Sequence, residues 1–350
     1  MTQRTMAGLL AVPLLVALWV VALLTPLPYV TYSPGLTVDV LDAPEGEETI
    51  QVDGRKTYRT GGQLRMTTVY VTQPETDVNL FELMEGWLSR DDAVYPYQAV
   101  YPDGETNESN KLEGAIEMVS SQDSAIAVAL SELDVDYTEA AKVFSVEEGT
   151  PADGALQKGD VLASVGGTPV TTTNDVATEV RSTAAREAVD IGVVRDGEVR
   201  TVSVTPESRD GRPTIGIQMV PSFRFPFDVE VGISEAIGGP SAGLMFSLGI
   251  YDTLTPGSLT GDATVAGTGS ITPDGKVGPI GGIQQKIAAA RDAGASLFLV
   301  PPDNCAEALD SPNEDMRLVR TETMHDAVEA IEAWVDDPDT SLPTCTAGNS

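Results

Sequence analysis

A serine set among glycines and a lysine set among alanines are the two points in this 350-residue chain where residue type and setting could do chemistry together. Ser241 stands in Gly238-Gly239-Pro240-Ser241-Ala242-Gly243 and opens an apolar stretch running to about Leu254. Small neighbours let a substrate backbone come close. A helix start also brings unpaired amides and the positive end of a dipole near a developing oxyanion. Gly239, Pro240 and Ala242 are therefore the expected oxyanion and substrate loop. Taken alone, the segment reads as an ordinary helix N-cap. Lys286 follows in Gly281-Gly282-Ile283-Gln284-Gln285-Lys286-Ile287-Ala288-Ala289-Ala290, near the start of a helical pattern. Alone it reads as an exposed helix lysine. Buried among such groups, however, it loses hydration, its ammonium is disfavoured, and the neutral amine can take a serine's proton. The only histidine, His325, has no obvious ligand partner, and neither cysteine reads as a nucleophile. A Ser–Lys pair is the nucleophilic arrangement the chain best supports.

The elements that must hold this pair can be read from periodicity. Tyr29–Asp42 and Gln63–Thr72 alternate and are rich in β-branched residues, as strands are. Asn79–Leu88 and Lys111–Leu133 carry apolar residues at helical spacing, with a polar, turn-rich loop over 102–110 between them. From Ala141 to Thr205 the texture changes to short strands punctuated by Gly-Thr-Pro, Gly159-Asp160, Gly166-Gly167 and Asp196-Gly197, with one helix over 175–181. Residues 206–221 read as a short polar connection, and Phe227–Ile233 as a strand leading to the serine.

The segments GGPSAG and TVAGTGSITPDGKVGPIGGIQQKIAAARDAGASLFLVPPDN, in this order, resemble the proteolytic domain of Lon proteases. The resemblance implies Ser241 as nucleophile, Lys286 as general base, and Thr268 as a threonine near the dyad that hydrogen-bonds the lysine. Gly238 stands where an acid often precedes the Lon nucleophile, so acid-assisted loop switching is not implied. Gly62-Gln63-Leu64 with its strand, and the helix Met118–Leu133, look like the first strands and helix of the same domain. The intervening block, with EGTPADGALQKGDVLASVGGTPV, resembles a PDZ domain, but no Gly-Leu-Gly-Phe-like carboxylate loop precedes Val143. The whole looks like the PDZ-plus-Lon-domain membrane proteases of the YlbL type. Lon domains often work as rings, so a hexameric homo-oligomer is implied by resemblance alone.

With 53 acids against 21 bases the formal charge is −32, which repels phosphate backbones and argues against nucleic-acid partners. No Gly-x4-Gly-Lys-Ser/Thr phosphate loop occurs, and no cofactor or metal is expected. Met6–Leu24 is an uncharged, mostly apolar run, about enough to cross a bilayer core. Arg4 precedes the run and acids dominate after it, which orients the N-terminus inside and the rest outside; a cleaved signal peptide is the competing reading. In an exported chain Cys305 and Cys345 read as one disulfide pinning the tail, against two unpaired thiols. The expected fold class is α+β. Residues 1–27 form a transmembrane anchor, and 28–136 the first part of a Lon-like proteolytic domain. Then come an inserted PDZ-like domain over 137–207, the catalytic part over 208–336, and a tail over 337–350. The expected function is ATP-independent, extracytoplasmic serine endopeptidase action on protein or peptide segments near the membrane. The rival is a catalytically silent scaffold on the same fold.

Overall fold

A computed structural model describes residues 3–43, 48–59, 61–184, 187–195, 197–209, 211–234 and 236–346, with side chains from residue 11 onward. One six-stranded sheet organises the part that carries Ser241 and Lys286. It takes β1 (Tyr29–Asp39), β3 (Gln63–Val71) and β4 (Ala93–Pro96) from the first part of the chain. From the last part it takes β14 (Thr264–Gly267), β17 (Leu297–Val300) and β18 (Arg317–Arg320). The order is β18-β17-β14-β3-β1-β4. The join is parallel, with Val265 of β14 opposite Leu64 of β3. Segments separated by the intervening block thus share one sheet.

Alternation along these strands sorts the core into two layers, because successive side chains point to opposite faces. Val265, Leu297 and Leu299 face α4 (Asn107–Glu132), α6 (Gly243–Leu254) and α9 (Met324–Asp336). Ala266, Phe298 and Val300 face α7 (Ile283–Asp292) and the short α8 (Cys305–Ala308). The serine therefore comes from one side of the sheet and the lysine from the other. Cys305 and Cys345 are disulfide-bonded, closing the chain's end onto the α7 layer. Short pairs β2 (Ile50–Asp53) with β13 (Asp228–Val231), and β15 (Ser270–Ile271) with β16 (Val277–Gly278), border the site.

The second sheet has its own core. It comprises β5 (Thr138–Val146), β6 (Val161–Val165), β7 (Thr168–Pro169), β8 (Val189–Arg195), β9 (Glu198–Val204) and β12 (Ile217–Arg224). Its order is β12-β5-β6-β8-β9, with β7 beside β6, and α5 (Thr173–Ser182) packs against it. Two sequence expectations need correction here. The module does not end at residue 207, and 206–221 is not a plain connection. After the exposed hairpin β10 (Glu207–Arg209)–β11 (Arg212–Thr214), β12 returns to pair with β5 from Thr138 to Val146. Pro206, Gly211, Pro213 and Pro221 read as linker punctuation, yet Ile215, Ile217 and Met219 alternate into the module's core.

Two smaller differences concern helices. α4 starts at Asn107 rather than Lys111, because Thr106 and Ser109 form a reciprocal cap that a turn-rich stretch conceals. The helix α1 runs from Gln3 to Leu24. Among the described residues no helix is long and apolar enough to cross a membrane. The side chains of residues 6–10, which belong to the expected span, and Asp196 of the expected turn lie outside the described residues. The remaining helices are α2 (Leu80–Leu88) and α3 (Tyr97–Val100), inserted between β3 and α4.

Candidate active site

The site lies where β14 ends. Chain leaving the carboxyl ends of neighbouring parallel strands opens a crevice between the two helical layers. Thr268 follows β14 directly and is fully buried. Its hydroxyl donates to the carbonyl of Ser241 at 3.0 Å. The Gly269 amide donates to the same carbonyl at 2.9 Å. From the opposite layer, Lys286 Nζ donates to Thr268 Oγ1 at 3.2 Å. The structure thus joins all three residues singled out in the sequence through one hydroxyl.

Lys286 is there because of how α7 begins. Gly282 caps the helix in the left-handed region, and the Lys286 amide closes the first turn onto the Gly282 carbonyl. Ile283, Ile287 and Ala290 bury the same helix against Ala266 and Phe298. The lysine side chain is carried inside with them at 2% exposure. Among the described residues no carboxylate pairs with it, and burial alone pulls its pKa down from 10.5 to about 7. Because the Thr268 proton is committed to the Ser241 carbonyl, the hydroxyl receives an N–H from the lysine. The lone pair of a neutral amine is then left to accept from elsewhere.

Helix α4 fixes the serine loop from behind. The Gly239 amide donates to the Gly114 carbonyl at 2.9 Å, and Ser121 Oγ to the Pro240 carbonyl at 3.0 Å. Gly243 must be glycine: a Cβ there would meet Ile271 at 2.7 Å and Ser121 Oγ at 2.9 Å. The helix cap is Ala242, not Ser241, so the serine hydroxyl is not used as an N-cap. Among the described residues Ser241 Oγ has no hydrogen-bond partner. The amides of Ser241 and Ala242 likewise donate to no protein group among them. That leaves two backbone donors in the serine loop uncommitted, as holding an oxyanion requires. Gly239 and Pro240 shape the loop through contacts of their own backbone with α4.

Several positioning residues were invisible in the sequence. Ser121 lies in a helical run whose pattern assigns it no role. Asn304 grips the backbone before α7, accepting from the Ile280 amide and donating to its carbonyl at 2.9 Å each. Asp123, two residues beyond Ser121, is buried and takes Lys142 Nζ at 2.6 and 2.7 Å and Ser222 Oγ at 2.7 Å. Lys142 and Ser222 lie on β5 and β12, so one helix touches both the serine loop and the second sheet. His325 stands on the surface of α9, its Nδ1 2.7 Å from Glu132 Oε1.

A second concavity opens between α5 and the edge strand β12. It is a groove of about 220 Å³ lined by Val176, Val180, Arg181, Ile215, Ile217 and Met219. Gly216 turns the chain into β12 with φ +79°, and a Cβ there would lie 2.3 Å from Thr150. The Ile215-Gly216-Ile217 turn, at the C-terminal side of the module, thus lies at this groove.

Comparison with known proteins matches residues 229–333 to the Lon protease (S16) C-terminal proteolytic domain, and residues 116–205 to the PDZ domain. Ser241, Thr268 and Lys286 all fall in the first match. The Lon protease of Phenylobacterium zucineum is 37% identical over 95 residues, which are 26% of this chain and 12% of that protein. Lon protease 2 of Bacillus subtilis is 34% identical over 107 residues, 30% of this chain and 19% of that protein. The matches thus span only a small part of these relatives' lengths. Among solved structures, the PDZ domain of an SdrC-like protein from Listeria monocytogenes is 22% identical, covering 23% of this chain and 86% of that one. The TM-score of this match is 0.22. The chain carries a proteolytic domain homologous to that of the Lon serine peptidases, together with a PDZ domain.

Proposed function

We propose that this chain is an ATP-independent serine endopeptidase held at the outer face of the cell membrane by α1, with Ser241 and Lys286 as its catalytic dyad. The observation that carries the reading is a lysine buried without a counter-charge, hydrogen-bonded through Thr268 to the backbone of a serine with an unused hydroxyl. Lys286, neutral above a pH of about 7, takes the proton from Ser241 Oγ as that oxygen bonds to the scissile carbonyl carbon. The carbonyl oxygen becomes an oxyanion, which the Ser241 and Ala242 amides receive. The C–N bond then breaks as the lysine returns its proton to the departing amine. Water attacks the acyl-serine with the lysine again as base, and the carboxylate product leaves. Lys286 lies within the protein and Ser241 at the crevice, so approach of the two accompanies substrate binding or assembly; catalytic hydrogen bonds commonly tighten only in the complex.

Substrates are extended protein segments near the membrane, and the groove beside β12 selects them by strand addition along an edge strand with apolar pockets. The apolar run over 6–24 and the charge asymmetry around it support the anchor. A hexameric ring, as Lon domains form, belongs to the same proposal. The test is peptide and casein hydrolysis without ATP by wild type, Ser241→Ala and Lys286→Ala. Cleavage by wild type and loss in both variants supports the dyad. Equal behaviour of all three removes it.

A further inference from the structure

The segment between β3 and α4 contains a helix with two unlike faces. α2 buries Leu83 and Gly86 against β1 and β4; a Cβ at Gly86 would come within 2.9 Å of Val94. At helical spacing Leu80, Met84, Trp87 and Leu88 fall together on another face, with Phe81 at its edge, while Glu82 and Glu85 fall on the remaining arc. All five apolar residues are exposed, from 38% at Leu80 and Phe81 to 62% at Trp87 and 80% at Leu88. A contiguous patch of large side chains of this kind signals a partner.

Its position says which partner. The Leu27 amide bonds to the Val78 carbonyl at 2.9 Å, tying the start of α2 to the chain leaving α1. Phe81 lies against Trp19, ring centres 5.9 Å apart, and Trp87 against Tyr29 at 6.4 Å. Trp19 is five residues before the end of α1, so contact with it places Phe81, at the start of α2, about 7.5 Å back along that helix. That depth falls within the roughly 5–10 Å at which an amphipathic helix lies in the headgroup and acyl boundary. The exposed face of α2 also continues the exposed apolar surface of α1, from Leu15 and Leu18 to Leu24. Aromatic pairs, Trp19 with Phe81 and Tyr29 with Trp87, thus flank the end of α1, where aromatic residues collect at membrane interfaces.

We infer that α2 is an interfacial helix whose Leu80, Phe81, Met84, Trp87 and Leu88 enter the outer leaflet beside α1. The inference rests on the anchor reading above. Two contacts with the bilayer, instead of a single hinge after α1, then hold the sheet edge β4 and the crevice at a fixed height over the lipid. Excess acids elsewhere on the chain favour zwitterionic over anionic lipid for this contact.

The chain has three tryptophans, Trp19, Trp87 and Trp334, and Trp334 is buried in the core, where it serves as an internal reference. Full-length protein is reconstituted in phosphatidylcholine vesicles with bromine on the acyl chains near the headgroup, or deeper. In Trp19→Phe protein, shallow bromines are expected to quench roughly half of the emission, deep bromines less, and the further change Trp87→Phe to abolish the effect. Quenching of Trp19 in Trp87→Phe protein, with none in Trp19→Phe protein, leaves the anchor standing. It overturns the interfacial helix in favour of a protein occupant such as a second copy. Absence of quenching in both proteins overturns the anchor and this inference together.

Discussion

Buried charge is handled in opposite ways in the two halves of the molecule. In the PDZ module, Asp160 is fully buried but meets Arg195 at 2.6 and 2.7 Å and also accepts from the Gln157 amide at 3.0 Å. At the seam with α4, buried Asp123 has Lys142 and Ser222. Both of these carboxylates have a cation and a further donor, which is what tolerable burial of an ion requires. In the proteolytic domain Lys286 is as deeply buried and has a neutral hydroxyl instead. Its burial is compensated by loss of charge, not by pairing. Paired burial holds a structure together; unpaired burial yields an amine that is neutral near pH 7, as the proposed base requires.

The comparison can be broken most sharply at Lys286. Lys286→Met is expected to lower peptidase kcat/KM by about 10³-fold or more, read by fluorogenic-peptide kinetics, since dyad members act as a unit. The same change should stabilise the fold. Between pH 7 and 10.5 the unfolded chain binds the proton that the folded chain has lost, so wild-type stability rises with pH across that window. The gain in midpoint from Lys286→Met, measured by thermal or urea unfolding, is therefore largest below pH 7 and shrinks towards pH 10. Asp160→Ala should do the reverse. Removing the buried carboxylate that holds Arg195 is expected to destabilise the module by about 3–5 kcal/mol, seen as an early unfolding transition, with cleavage of short peptides retained.

Smaller effects sharpen the picture. Cys345→Ser, which opens the loop to Cys305, is expected to cost about 2–4 kcal/mol in denaturant titration without moving the pH profile. Thr268→Val removes the hydroxyl that orients both the lysine and the Ser241 carbonyl. It should lower kcat by roughly tenfold, with little change in KM, the pattern of a residue that positions the base. Ser121→Ala, one step further out, is expected to cost about 1 kcal/mol of stability or less and to lower kcat by a few-fold.

Much of this was legible from the sequence because short-range chemistry wrote it there. The glycines around Ser241, the alanines around Lys286 and the alternation of β3 announce their own local structure. The groove in the PDZ module was missed for the same reason. Its turn, Ile215-Gly216-Ile217, lies after the module's other strands, behind prolines that read as a linker, and only pairing of β12 with β5 brings it into place. Ser121, Asp123 and Asn304 left no local signal at all, since each acts on backbone or charge far away in the chain. A buried polar side chain within a helix looks the same in sequence as a solvated one until its partner is known.

The most direct test of the central claim is the rate at which a fluorophosphonate probe labels the protein as a function of pH, with the labelled residue identified by mass spectrometry. The account predicts modification of Ser241, with a rate that rises through an inflection near pH 7 and falls to background, without inflection, in Lys286→Met. Labelling of another residue, or a Ser241 rate that is the same in wild type and Lys286→Met at every pH, would contradict it.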